Sequence, residues 1–189
     1  MELFRNIRLK IGGALLSYKI TRTKRKTSYS NITQVKNIGI VWDASLMDDF
    51  ACLSRFFQKM NEKKTDVKIL GYFPGNILPD QYTAIRYLTV IKKEELNIFY
   101  HPVSADSNSF VRKQFDVLID INFKKLLPLQ YISSMSHAGL KVGLFEPKIK
   151  NSPFDLLMEV KSPVNVEDYL NQVITYLGMI NSGTVKKVD

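Results

Sequence analysis

The sequence predicts an α/β fold: a single Rossmann-like domain with a mostly parallel sheet, preceded by a basic amphipathic N-terminal helix. Several short apolar runs lack polar alternation, which is typical of strands that are covered on both faces. Segments with helical spacing separate these runs, which is typical of parallel βαβ units. Charge sets the N-terminus apart. Residues 1–30 carry eight basic side chains against Glu2, a net charge of +7, whereas residues 31–189 carry +2.

The composition is that of a soluble globular protein with a buried core. The chain has 189 residues, of which 45% are apolar and 24% are charged. No run approaches the roughly 20 apolar residues of a membrane span. The short apolar segment at 11–18 is followed by a basic cluster rather than a signal-peptide cleavage site. Cys52 is the single cysteine, so no internal disulfide forms, and we expect a cytoplasmic protein with a buried structural thiol.

The N-terminal unit spans residues 1–30 and consists of a helix and a linker. Within residues 2–24, apolar side chains recur near helical spacing at Phe4, Ile7, Ile11, Leu15 and Tyr18. Gly12 and Gly13 weaken this helix by about 1 kcal/mol each relative to alanine. We therefore expect the helix to form against the body of the protein or against a partner. The polar, basic segment at 23–33 predicts a linker.

Residues 36–181 are predicted to form the Rossmann-like domain. Apolar runs rich in β-branched residues predict strands at 36–43 and 66–73. Between them, a helix at 44–64 follows from the apolar positions Leu46, Phe50, Leu53, Phe56, Phe57 and Met60. The middle of the domain predicts three elements in order: a strand at 87–91, an extended stretch near 98–100 and a short helix near 107–113.

The second half of the domain continues the alternation. A strand is predicted at 115–121, followed by a helix at 128–139 that stops at Gly139. Strands at 141–146 and 153–160 come next. A closing helix at 165–181 has an acidic first turn, as the helix dipole favours. We expect residues 182–189 to form a flexible tail.

One segment resembles a known enzyme family. Residues 115–147, FDVLIDINFKKLLPLQYISSMSHAGLKVGLFEP, are similar to part of the heptosyltransferase-like glycosyltransferases. In that family a strand of the form aromatic-Asp-hydrophobic-hydrophobic-Ile-Asp leads through a helix to a glycine-containing strand. The resemblance implies a Rossmann-like α/β fold. Those transferases have two domains and hold a nucleotide sugar between them, whereas this chain has room for one domain.

The overall layout resembles an uncharacterised family of bacterial proteins. The shared features are a basic N-terminal helix, then IGIVWD at 38–43, and finally FDVLIDIN at 115–122. This resemblance implies no activity and supplies no site residues.

Two carboxylates are candidates for chemistry. Asp43 and Asp120 end predicted strands, and ligands of doubly wound sheets bind beside the carboxyl ends of strands. Two carboxylates there could hold Mg²⁺ or act as an acid–base pair. Alternatively, Asp43 caps a helix that begins at Ala44 or Ser45, and Asp120 caps a turn. Capping is the commoner use of such residues, and the sequence favours it.

Other motifs give no catalytic signal. His101 and His137 lie far apart without cysteine or glutamate at ligand spacing, so we interpret both as structural or surface residues, His137 in the last turn of a helix. The glycine-containing segments at 11–13 and 71–76 lack the spacing of phosphate-binding loops. We therefore predict a non-enzymatic protein without a metal or a cofactor.

The basic N-terminal segment is the main functional candidate. We predict that it binds structured RNA, such as rRNA on a ribosomal particle, through phosphate contacts. The predicted contact residues are Arg5, Arg8, Lys10, Lys19, Arg22, Lys24, Arg25 and Lys26. An alternative is an anionic membrane surface, into which the apolar stripe would insert. An acidic protein partner, a solvated leader and a small degenerate glycosyltransferase-like nucleotide-binding domain also remain open, as does packing of the stripe on the body.

Overall fold

The computed structural model describes residues 2–146, 152–160 and 165–180. The α-helices in these ranges are α1 (Glu2–Arg22), α2 (Asp49–Glu62), α3 (Ala105–Arg112), α4 (Leu127–Met135) and α5 (Val166–Met179). The strands are β1 (Asn37–Asp43), β2 (Asp66–Phe73), β3 (Leu88–Lys92), β4 (Val117–Asp120), β5 (Leu140–Leu144) and β6 (Leu156–Met158). The tail predicted at 182–189 lies outside the described residues.

The strands form one six-stranded sheet in the order β3-β2-β1-β4-β5-β6, with every neighbouring pair parallel. The prediction of a Rossmann-like α/β domain is therefore confirmed. The chain adds strands on one side of β1 and then restarts with β4 on the other side, so the winding direction reverses between β1 and β4. Sheets of this kind bind ligands beside the carboxyl ends of the strands at such a reversal.

The core lies on both faces of the sheet, as the continuous apolar strands predict. Successive side chains of a strand point to opposite faces. In β1, Ile40 and Trp42 therefore belong to the cluster that packs with α2 and α5, whereas Val41 belongs to the cluster with α3 and α4. All three are fully buried. Each such burial contributes about 1.5–3 kcal/mol, which makes β1 the centre of the fold.

The stretch near 98–100, which the sequence predicts as extended, is a turn. The Asn97 side-chain oxygen accepts hydrogen bonds from the backbone N–H groups of Phe99 (2.9 Å) and His101 (3.1 Å). Tyr100 adopts the left-handed conformation with φ of 63°. A local side-chain hydrogen bond of this kind competes with strand pairing, and the apolar pattern does not reveal it.

Two helices are shorter than predicted. The helix expected at 44–64 begins at Asp49, and the helix expected at 128–139 ends at Met135. At the first of these, the Asp43 carboxylate holds the chain in a turn after β1, which delays the start of the helix.

Candidate functional site

The N-terminal helix α1 docks on the body through a face that the apolar pattern did not identify. Gly12 and Leu16 are buried, and Ile20 is partly buried. These residues lie four apart on one helix face, and α1 packs there against α4. The docked face was visible in the sequence as the series Gly12, Leu16 and Ile20. It was less prominent than the row of five large apolar side chains on the opposite side, because its first member is a glycine.

Close contact at Gly12 brings the helix against the turn at 97–101. A Cβ atom at Gly12 would lie 2.3 Å from the backbone oxygen of Phe99 and 2.9 Å from Leu127 Cδ2. The Gly12 carbonyl lies 2.9 Å from His101 Nε2, which is the donor in this contact. His101 is buried and its ring packs on Tyr131, with 4.7 Å between ring centroids. Burial lowers the pKa of His101, so the neutral imidazole holds α1 in place.

The predicted apolar stripe lies on the opposite side of α1 and faces outward. Its members are between 38% and 73% exposed: Phe4, Ile7, Ile11, Leu15 and Tyr18. Packing of this stripe on the body, which the sequence left open, is therefore wrong. The helix presents one apolar face to the protein and a second one to its surroundings. We call this second face the outer stripe.

Basic side chains of α1 border the outer stripe. Arg8 donates from Nε to the Ile98 carbonyl at 2.5 Å, and its guanidinium lies over the Tyr100 ring. Lys19 lies over the ring of Tyr131. The remaining predicted contact residues of the helix, Arg5, Lys10 and Arg22, are exposed, and the Arg22 guanidinium stacks over Tyr18. All five helix cations therefore remain at the surface.

The three basic residues after α1 have different environments. Lys24 and Lys26 are exposed. Arg25 pairs with Asp155 at 2.5 Å, where each side chain is only 14% exposed, and it also donates to the carbonyls of Ala138 and Gly139 at 2.9 and 2.8 Å. Arg25 therefore fastens the linker to the body, and we leave it out of the proposed contact surface.

This difference predicts unequal effects of three neighbouring substitutions. Arg25→Ala should lower the free energy of unfolding by about 1–2 kcal/mol, because it removes a partly buried ion pair and two hydrogen bonds from a charged donor. Lys24→Ala and Lys26→Ala should each change it by less than about 0.5 kcal/mol, because both side chains are exposed. Urea denaturation of the three variants measures this, and equal values for all three would contradict the anchoring role of Arg25.

The two candidate carboxylates lie at the carboxyl ends of β1 and β4, as predicted. Asp43 is 1% exposed, and its Oδ1 accepts hydrogen bonds from the Ser45 backbone (3.1 Å) and hydroxyl (2.6 Å). It therefore caps a turn rather than a helix that begins at Ala44 or Ser45. Its other oxygen, Oδ2, lies 3.8 Å from the ammonium of Lys124.

Asp120 has a different environment from Asp43. Its Oδ1 accepts from the Asn122 backbone at 2.7 Å, so it caps a turn, and its Oδ2 accepts from the Ser133 hydroxyl. Burial raises the pKa of Asp120 to about 6, and the two hydrogen bonds, which lower the pKa, offset only part of this effect. Sequence reasoning missed Ser133, because contact between β4 and α4 cannot be read from spacing.

The described residues contain no group of three or more His, Cys, Asp or Glu side chains arranged to hold a metal ion. His137 lies beyond the end of α4, not in its last turn, and is exposed. Cys52 is partly rather than fully buried, and burial raises the pKa of its thiol. These side chains therefore form no site with Asp43 and Asp120 in the part of the chain that the structure describes.

Among the described helices, none combines the length and the apolar content that crossing a membrane requires. No curated protein and no solved structure matches the chain. The model of a family of unknown function, DUF6913, matches residues 10–180, which include most of α1 and the whole described sheet. The chain therefore belongs to the family of unknown function DUF6913.

Proposed function

We propose that this cytoplasmic protein is a non-enzymatic peripheral membrane protein, which attaches reversibly to an anionic bilayer through the outer stripe of α1. The observation that carries the proposal is the exposure of five large apolar side chains in one helical row, on a helix already docked through its other face. A helix that needed only to fold against the body would not require a second apolar face. Exposed apolar patches with a polar border are typical of interaction surfaces.

The free energies available are of the right size for reversible attachment. Completing the burial of each stripe side chain contributes about 1 kcal/mol, since full burial is worth about 1.5–3 kcal/mol and these side chains are already partly covered. Each lysine or arginine near an anionic bilayer adds about 1 kcal/mol. Apolar and charge contributions are thus similar, so high salt should weaken attachment without abolishing it.

Charge favours an anionic bilayer over a second copy of this chain as the partner that covers the stripe. Arg8, Lys19 and Arg22 lie near one border of the stripe, and helical spacing places Lys10 near the other. A second copy of this chain would bring like charges together across the contact, whereas an anionic bilayer attracts them. On RNA, phosphates and stacked bases make most contacts, so the aliphatic members of the stripe, Ile7, Ile11 and Leu15, would gain little there.

Flotation of the full chain with vesicles tests the proposal. We expect co-flotation with vesicles of phosphatidylcholine mixed with phosphatidylserine and a clearly smaller bound fraction with phosphatidylcholine alone, because neutral lipid removes the charge contribution and leaves the apolar one. Raising the salt concentration should reduce the bound fraction. Equal recovery with both vesicle types, or none with either, would contradict attachment to an anionic bilayer.

RNA binding on a ribosomal particle is a second candidate, which a separate observation favours. Lys24, Lys26 and His137 border a recess of about 490 Å³ where the linker passes the amino ends of β4 and β5. A lysine pair beside a recess suits an RNA phosphate, and this surface differs from the outer stripe. Sedimentation of native lysate with and without RNase is the matching experiment. RNase-sensitive migration with ribosomal particles, without vesicle flotation, would replace the membrane proposal by this one.

The resemblance of residues 115–147 to glycosyltransferases remains a prediction, since none of the comparisons bears on it. It supports at most a degenerate nucleotide-binding domain. Stabilisation by a nucleotide that disappears in Asp120→Asn would favour it over both binding functions.

A further inference from the structure

A cavity of about 380 Å³ lies between α1 and the carboxyl ends of β4 and β5. Leu16 and Ile20, from the docked face of α1, form part of its apolar wall, and Phe154 and Leu157 contribute to the rest. This volume lies within the range of small-molecule binding sites, which are mostly apolar with a few polar groups that fix orientation. The polar group that distinguishes this cavity is Asp120.

Asp120 brings a carboxylate to this cavity without a compensating positive charge. The residue is 7% exposed, and its hydrogen-bond donors, the Asn122 backbone and the Ser133 hydroxyl, are both neutral. Among the residues that the structure describes, no lysine or arginine pairs with it. Lys125 lines the same cavity, but its ammonium pairs with Glu146. The described lining therefore carries a net negative charge.

Burying a carboxylate without a cation costs free energy that a cationic ligand would recover. The raised pKa of Asp120, about 6, reflects this cost, and at pH 7.5 the group is still mainly ionised. Each carboxylate oxygen can accept more than one hydrogen bond, so the contacts with Ser133 and Asn122 leave acceptor capacity for a ligand.

We propose that this cavity binds a small organic cation: a primary amine with an apolar body. The ammonium group donates to the carboxylate of Asp120, and the apolar body lies against Leu16, Ile20 and Phe154. An anion of the same size would meet the net negative lining and is excluded. This site is on the docked side of α1, so the proposal does not rest on membrane attachment by the outer stripe.

Three probes of nearly equal size separate charge from shape: phenethylamine, phenethyl alcohol and phenylacetate, with tryptamine as a larger amine. They are titrated at pH 7.5 into the isotopically labelled full chain, and backbone amide shifts are followed by NMR. We expect saturable shifts for at least one amine near Ser17 and Ser134, which line the cavity. Binding of phenethyl alcohol should be about tenfold weaker or more than that of phenethylamine, and phenylacetate should not bind. Failure of both amines to bind, or equal binding of the alcohol, overturns the proposal.

Two variants place the binding in this cavity. Asp120→Asn keeps the side-chain shape and removes the charge, so the preference for amine over alcohol should disappear. Ser17→Trp on the surface of α1 fills the cavity without changing Asp120 and should abolish amine binding. Ala14→Trp on the same helix is the matched control, because Ala14 is exposed and does not line the cavity, and it should bind normally. Amine binding that survives Ser17→Trp, or that is lost equally in Ala14→Trp, overturns the assignment even if Asp120→Asn does not fold.

Discussion

Ile11→Glu is expected to abolish flotation of the protein with phosphatidylserine-containing vesicles. Ile11 lies in the middle of the outer stripe and is 41% exposed, so the substitution should leave the fold intact. It replaces an apolar side chain that would enter the bilayer by a carboxylate, which the anionic surface repels and which is costly to remove from water. We expect a loss of about 2 kcal/mol or more, or roughly 30-fold in affinity. Flotation at a series of lipid concentrations measures this change.

Asn6→Glu is the matched control for Ile11→Glu. Asn6 is exposed on the same helix but lies outside the outer stripe. Both substitutions add one negative charge, but only Ile11→Glu alters the stripe. We expect Asn6→Glu to retain most of the binding, with a loss of about 1 kcal/mol for the charge alone. Equal losses in the two variants would mean that charge alone governs attachment, and the insertion of the stripe would then be wrong. Retained flotation in Ile11→Glu would exclude the outer stripe as the contact.

The fold was predictable because its signals are local. Continuous apolar runs predict a sheet that is buried on both faces, and five of the six strands overlap their predicted ranges by four or more residues, with β6 shorter than expected. The errors arose where one polar side chain bonds to nearby backbone. Asn97 turns the chain at 97–101, and Asp43 delays the start of α2. Neither effect alters the apolar pattern from which helices and strands are predicted.

The candidate site was less predictable because it depends on contacts between distant residues. The outer stripe and the basic residues were visible in the sequence, but not which face of α1 docks. Gly12 is buried because Phe99 and Leu127, 87 and 115 residues later in the chain, meet it. The anchoring role of Arg25 depends on Asp155, and the environment of Asp120 depends on Ser133. Neither pair can be predicted from the spacing of residues along the sequence.

The two neighbouring glycines of α1 should respond in opposite ways to the same substitution. Gly13→Ala adds a Cβ that meets nothing within 4 Å, so the gain in helix propensity should stabilise the protein by about 1 kcal/mol. Gly12→Ala gains the same propensity, but its Cβ would lie 2.3 Å from the Phe99 carbonyl oxygen. That atom belongs to the backbone, so the helix must move away, at a cost of about 3 kcal/mol. The net loss for Gly12→Ala is then about 2 kcal/mol, and the two variants should differ by about 3 kcal/mol.

Urea denaturation gives the free energies of unfolding of the two variants. Hydrogen exchange shows which segments of the chain become less or more stable. In Gly12→Ala, faster exchange should be confined to α1 and the turn at 97–101, because the altered contact joins these two segments. In Gly13→Ala, the amides of α1 should exchange more slowly than in the unaltered protein. Since the outer stripe is unchanged by either substitution, vesicle attachment by Gly13→Ala should equal that of the unaltered protein. If both glycine variants were equally stable, α1 would not dock through Gly12, and the outer stripe would lose its assignment as the outward face.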